Sequence, residues 1–405
     1  MSVIKVALQR KFTFSQLSIL LCLFFGSMNI ANKFFYFMLV MFAVMIVSNS
    51  KSLRMDIWTI VLVLFSCCYV IFDSNTLNSV NKIVKIFLYP MCYLVGLNFV
   101  KGKFFTRFTS NDTGNQMKMV FVVAALGPFV HYLLNFIFNF DSFNRNTIDV
   151  WTGELMSATG QAILAFMAIG FFVTCLWSNT QRNTKLVATA GIIIALAYNL
   201  VLAGRTMLIL FLIVFLIGFI YRIKQRSLHF NIISIVWFGA SIVFLLILYH
   251  INFLDVRTLV HSSNLIVRLN DMTFLDYSRV VLKKQYYQYA FEYPWGGGHI
   301  YNEVGRYAHG LFLDAYNDVG IIGCGLLIIF VVVSVVNMLK VLKWSNIDDE
   351  LKLLIVTTYI VMLVVFFMEP VLQGVPWLFC IFCFFSGLIQ VEKTRCSRLH
   401  KNKRI

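Results

Sequence analysis

The chain is a succession of long apolar runs broken by short polar punctuation. The runs cover about 13–31, 34–48, 56–72, 80–100, 118–140, 157–178, 186–203, 206–222, 231–250, 311–339, 352–369 and 371–390. Roughly 20 apolar residues in a helix cross the hydrocarbon core of a bilayer. Within that core every backbone donor and acceptor must be satisfied inside the segment, and only five prolines interrupt the whole chain, so helices are the expected spanning element. The pattern predicts an all-α polytopic membrane helix bundle of about 12 transmembrane helices. The first two runs are short and could form a hairpin. One long stretch, 251–310, is not apolar, and a loop of that length in a compact membrane protein usually has a function. The expected organisation is therefore nine helices in 1–250, a loop with an amphipathic helix in 251–310, three helices in 311–390, and a basic tail in 391–405.

Composition supports that reading. Sixty per cent of residues are apolar and 13% are charged, against about half and a quarter in soluble domains. A soluble enzyme, a secreted domain and a disordered chain are set aside. The net charge is +16, and its distribution matters more than its size. With the N-terminus in the cytoplasm, alternate loops collect about 23 of the bases and about 6 acids, and the other side is near neutral. Both termini are then cytoplasmic, the 251–310 loop lies on the outer side, and nucleic acid is not needed to explain the charge. Lys5, Arg10 and Lys11 precede the first run, and no small-residue cleavage site follows, so an uncleaved first span is expected. The nine cysteines sit almost wholly in apolar runs, which is no disulfide framework. Cys380 and Cys383 form a C-x-x-C without a partner cluster, and no metal is expected.

Candidate chemistry gathers in the loop. It holds His250, His261, His299 and His309, with Arg257, Arg268, Arg279, Arg306, Lys283 and Lys284. The segment Tyr277 to Tyr293 reads as a helix capped by Asp276. It is amphipathic and aromatic, suited to a membrane surface. Arg279 falls in its first turn, the unfavourable end for a cation, which points to a partner or an anionic ligand, with a solvated surface arginine as the alternative. Pro294-Trp295-Gly296-Gly297-Gly298-His299 follows, where glycines permit positive φ and close backbone approach. His309 stands where the loop enters an apolar run, as an imidazole able to accept a proton near neutral pH. Arg205 stands in the turn Ala203-Gly204-Arg205-Thr206, where it either anchors the interface or binds a lipid-linked phosphate. There is no Walker A, dinucleotide fingerprint or H-E-x-x-H, and no cofactor is expected.

The order of these elements resembles the O-antigen polymerases of the Wzy type and the related O-antigen ligases. The resemblance rests on the Ala-Gly-Arg205-Thr turn, Ser278-Arg279 in the long loop, Tyr293-Pro294-Trp295-Gly296-Gly297-Gly298, His309-Gly310-Leu311-Phe312, and Asp318-Val319-Gly320-Ile321-Ile322-Gly323. Those proteins are inner-membrane glycosyltransferases with a GT-C-like bundle. The resemblance implies a periplasm-facing, metal-independent transfer of glycan from undecaprenyl pyrophosphate to a lipid-linked repeat unit. Arg205 and Arg279 would neutralise the leaving pyrophosphate and His309 would be the base. Arg268, Lys283, Tyr293, Gly296 and Gly298 would contact substrate. The implied partners are the lipid-linked oligosaccharides, membrane lipid and a chain-length regulator protein. Gly310 departs from the ligases, many of which have asparagine there. A ligase acting on lipid A–core, a transporter or flippase of lipid-linked oligosaccharide, and a non-catalytic scaffold remain as alternatives.

Overall fold

The computed structural model describes residues 13–49, 53–72, 80–99, 110–140, 147–178, 181–202, 205–225, 277–344 and 347–402. The chain folds as two compact units, one of Met1–His131 with Tyr277–Ile405, the other of Tyr132–Asp276. The described elements are α1 (Phe14–Met28), α2 (Phe34–Asn49), α3 (Ile57–Phe72), α4 (Val80–Phe99), α5 (Ser110–Phe138), β1 (Thr147–Ile148), β2 (Leu155–Met156), α6 (Ala158–Trp177), α7 (Arg182–Leu202), α8 (Arg205–Gln225), α9 (Tyr277–Ala290), α10 (His299–Val304), α11 (Leu311–Leu342), α12 (Asp349–Met368), α13 (Val371–Gly374) and α14 (Pro376–Asn402).

The protein is an all-α membrane helix bundle. Among the described residues seven helices are long and apolar enough to cross a membrane, and four apolar helices are shorter. The run at 231–250 lies outside the described residues, as do Asp276, Arg268, and all of 251–310 before Tyr277. Helices α1 and α2 have 15 and 16 residues, about 23 Å each at 1.5 Å per residue. Asn29 and Ala31, both left-handed, turn the chain between them. The last run differs in detail from the sequence pattern: a short α13 precedes α14, and α14 continues as helix to Asn402, into the basic stretch.

In the first unit, α4 and α14 approach backbone to backbone. A Cβ on Gly96 would lie 2.0 Å from the Phe384 carbonyl oxygen, and one on Gly387 would lie 2.3 Å from that of Tyr93. Small residues at such a crossing let membrane helices gain packing where hydrophobic exclusion supplies no drive. Near this pair, Asp56 accepts from Tyr93 (2.8 Å) and Gln390 (3.3 Å), and Gln390 accepts from Asn337 (2.9 Å). Lys118 on α5 pairs with Asp348 and Glu350 at the start of α12.

In the second unit, α6 packs on α7 and α8. Tyr132 donates to the Ala195 carbonyl at 3.0 Å. Asn135 donates to Gln161 (3.1 Å) and accepts from Val150 N–H (2.8 Å), which ties the β1–β2 hairpin to the helices.

The apolar run at 311–339 is not one continuous helix. Gly320 has φ 66° and ψ −168°, which breaks α11. The break positions the site.

Candidate functional site

Helix α9 shows two faces. Leu282 and Tyr286 are buried in a small cluster with Ile300 and Ala308. On the other face Val280 and Tyr287 are exposed, and past the end of the helix so are Phe291 and Trp295, aromatic and apolar groups suited to a membrane surface. The helix ends at Ala290 rather than Tyr293. Tyr286 is anchored by donating to the Arg306 carbonyl at 2.8 Å, and burial pushes its phenol up.

Arg279 and Lys283 lie four residues apart, on one face of α9. Arg279 Nη1 donates to the Met368 carbonyl at 3.1 Å, and Lys283 Nζ to the Phe367 carbonyl at 3.1 Å. Those are the last carbonyls of α12, which carry the negative end of its dipole. The partner expected for a cation in the first turn of α9 is thus the C-terminus of another helix. Burial and the neighbouring Arg279 depress the Lys283 ammonium below its usual range.

Glu369, next along the chain, is the residue the sequence reading did not assign. Its side chain is 1% exposed. One carboxylate oxygen lies 3.5 Å from Arg279 Nη1 and the other 3.8 Å from His309 Nδ1. Neither separation is a hydrogen bond to the imidazole, and His309 Nδ1 and Glu369 Oε1 have no hydrogen-bond partner. A lone acid before a proline at a helix end is the only signal the sequence carries for it.

His309 has φ 55°, a left-handed conformation that costs an ordinary residue about 1–2 kcal/mol. Asp314, fully buried one turn into α11, holds it there. Its two carboxylate oxygens accept from Ala308 N–H (2.9 Å) and Gly310 N–H (3.2 Å), the residues on either side of the histidine. Gly310 itself has φ −173°, extended backbone open to any residue, and a Cβ there would come no closer than 3.7 Å to the Phe367 carbonyl.

The proline-and-glycine segment docks on the break in α11. Gly297 N–H and Gly298 N–H donate to the carbonyls of Asp318 (3.0 Å) and Asn317 (2.9 Å), and Ile321 N–H donates to Pro294 (2.9 Å). The peptide groups freed by the break are satisfied by this loop. Gly296 and Gly320 touch: a Cβ on the first would be 2.4 Å from Gly320 N. Gly296 is therefore spent on chain packing, whereas Gly298 borders open space. Tyr293 stacks on His299 at 5.4 Å, and its phenol is raised mainly by Glu303.

Beside the break lies a cavity of about 360 Å³, whose lining includes Tyr69, Lys82, Lys85, Gly298, Asp318 and Gln373. Asp318 Oδ2 accepts from Tyr69 (3.2 Å) and Gln373 (2.5 Å), and its Oδ1 accepts from Asn317 (2.8 Å).

The structure thus brings together Arg279, Lys283 and His309 of the expected residues and adds Glu369 and Asp314. Arg205 is the first residue of α8, in the second unit. Among the described residues no group of three or more His, Cys, Asp or Glu could hold a metal ion. In comparisons with known proteins, no family model and no curated protein matches this chain.

Proposed function

We propose that the protein is a membrane glycosyltransferase, an O-antigen or related surface-polysaccharide polymerase. It would move a growing glycan from undecaprenyl pyrophosphate to a lipid-linked repeat unit. The observation that carries this reading is the convergence of Arg279, His309 and Glu369, which lie tens of residues apart in sequence. In this reading the bundle has twelve spans with both termini cytoplasmic, and the site faces the periplasm of the bacterial inner membrane.

The chemistry follows from the geometry. An acceptor hydroxyl attacks the anomeric carbon, the bond from that carbon to the pyrophosphate oxygen breaks, and the hydroxyl proton passes to His309. Arg279 and Lys283 offset the charge that develops on the leaving pyrophosphate. The Glu369 carboxylate beside Nδ1 stabilises the imidazolium that forms, as the acid of a catalytic triad does. The phosphate role of Arg205 rests on its place in the sequence and on the resemblance, and the substrate contact of Arg268 on the resemblance alone.

The test is the lipopolysaccharide ladder after deletion of the gene in its host, complemented by wild type, Arg279→Ala, His309→Ala or Glu369→Gln. The expected result is a core-plus-one-unit band in the deletion and in the variants, and a full ladder with wild type. Naked core with polymer left on the carrier would instead assign the ligase activity. A full ladder with Arg279→Ala and His309→Ala would overturn the mechanism.

One observation favours the transporter reading. Helix α11 is broken at Gly320, two residues after Asp318, and broken helices mark many transporter sites. Those breaks lie near the bilayer midplane, however. The stretch from Ile321 to Leu342 is roughly 22 residues, about 33 Å, enough to cross the hydrocarbon alone. The break then sits at the end of a span, which favours the enzyme. Movement of a labelled lipid-linked glycan across vesicles containing only this protein would reverse that preference.

A further inference from the structure

At the end of α11 away from the site, a group of lysines stands without acids. Phe330 faces Phe382, ring centroids 6.2 Å apart, and further along both helices Asn337 donates to Gln390 at 2.9 Å, so α11 and α14 run parallel. Lys340 and Lys393 each follow that hydrogen bond by three residues, one on each helix, and lie near enough to repel one another. Lys343 stands at the end of α11. At 1.5 Å per residue Lys340 is about 30 Å from Gly320, at the opposite boundary of the span.

The acids at this end are engaged elsewhere. Asp348 and Glu350 pair with Lys118, Asp349 with Lys352, and Glu392 with Arg395. Asp56 attracts Lys393, but uncharged donors occupy both its oxygens: Thr59 N–H (3.1 Å) and hydroxyl (3.2 Å) on one, Tyr93 (2.8 Å) and Gln390 (3.3 Å) on the other. Among the described residues, Lys340, Lys343 and Lys393 make no ion pair. Three lysines against that one carboxylate leave the corner cationic. Snorkelling brings a lysine to headgroup level, but it gives no reason for like charges to gather there, and an anion between them would turn repulsion into attraction.

An exposed apolar stripe runs up to these cations: Ile329, Val332, Val336 and Leu339, three or four residues apart on α11. Trp344, half-buried just beyond, is a residue type that settles at the membrane–water interface. A soluble phosphate would use the ammonium groups alone, whereas a lipid uses the cations and the stripe together. We propose that this corner binds the phosphodiester headgroup of an anionic phospholipid, with an acyl chain along the α11 stripe. The binding is independent of the glycan-transfer reading.

The test counts lipids retained by the full-length protein in native mass spectrometry, from micelles doped with dioleoyl phosphatidylglycerol or, separately, dioleoyl phosphatidylcholine. One phosphatidylglycerol is expected to be retained at least about fivefold more than phosphatidylcholine, and glycerol 3-phosphate at equal concentration is expected not to displace it. Lys340→Gln and Lys393→Gln should each lower retention about threefold, and the double variant about tenfold. Replacing both by arginine, which keeps the charge, should preserve it. Lys352→Gln removes the same charge from the same end, but from a lysine already paired with Asp349, and should leave retention unchanged. Equal retention of the two lipids, displacement by glycerol 3-phosphate, wild-type retention in the double glutamine variant, or loss in the double arginine variant would overturn the proposal.

Discussion

Replacing Gly320 by alanine should open the site without disturbing the rest of the bundle. At φ 66° and ψ −168° the residue occupies a backbone region that is essentially glycine-only, and a side chain there costs about 1–3 kcal/mol. The added Cβ would also lie 2.5 Å from the Trp295 carbonyl carbon and 2.6 Å from the Pro294 oxygen, too close for either backbone to remain. The loop must undock, and its three backbone hydrogen bonds to α11 are then lost at about 0.5–1.5 kcal/mol each. The sum is on the order of 4 kcal/mol, about a thousandfold in the local opening equilibrium. Hydrogen exchange at the Gly297, Gly298 and Ile321 amides reads it directly, and these should exchange about a thousandfold faster. Gly325→Ala is the control. It lies on the same helix with nothing within 4 Å of the added carbon, so it should hold or gain up to about 1 kcal/mol. Exchange in Gly320→Ala within about threefold of wild type, with a stable protein, would refute the argument that the loop seals the break.

The other predictions concern the histidine, the lysine and the helix seam. Asp314→Asn replaces one of two acceptors by a donor facing an N–H, at a cost of about 1.5–3 kcal/mol for a charged-group bond. Transfer by reconstituted protein should fall at least about tenfold, and unchanged transfer would remove Asp314 as the positioning residue for His309. Lys283 is depressed by burial and by Arg279 from an ordinary value near 10.5, so between its native pKa and that value the unfolded chain binds more protons. Stability therefore gains with rising pH in that window. Lys283→Met should remove this gain, seen as the pH dependence of the difference in Tm between the two proteins. Gly96→Val, with a Cβ meeting the Phe384 carbonyl at 2.0 Å, should lower stability in detergent by at least about 1–3 kcal/mol. An unchanged Tm would mean that α4 and α14 do not pack as described.

Much of the architecture was legible from periodicity. Eleven of the twelve apolar runs coincide with described helices or their immediate continuation, because length and apolarity alone determine what can lie in hydrocarbon. The helix at Tyr277 was visible from its polar–apolar pattern, although three residues shorter than expected. The break in α11 was not visible as a break. An apolar run containing a glycine reads as continuous helix, and only the docked Pro294–Gly298 loop makes an interruption affordable. The glycine segment reads in the sequence as a place of close backbone approach, and what it approaches, Asp318 and Gly320, only the fold supplies. Glu369 was legible as an acid at a helix end but not as the neighbour of His309, since some sixty residues separate them.

The sequence by itself determined that the chain is a membrane bundle and where most of its described helices lie, and it pointed to a partner or an anionic ligand for Arg279 in the first turn of α9. Each of these follows from local composition, spacing or helix polarity. The tertiary structure decided what that partner is, the carbonyl end of α12 with buried Glu369. It decided that Asp314 holds His309 in a left-handed turn, and that a cavity opens where α11 breaks. The physical reason is that these features are contacts between elements distant in the chain. A carboxylate, a helix terminus and an imidazole carry no trace in their own neighbourhoods of which others the fold will bring within 4 Å.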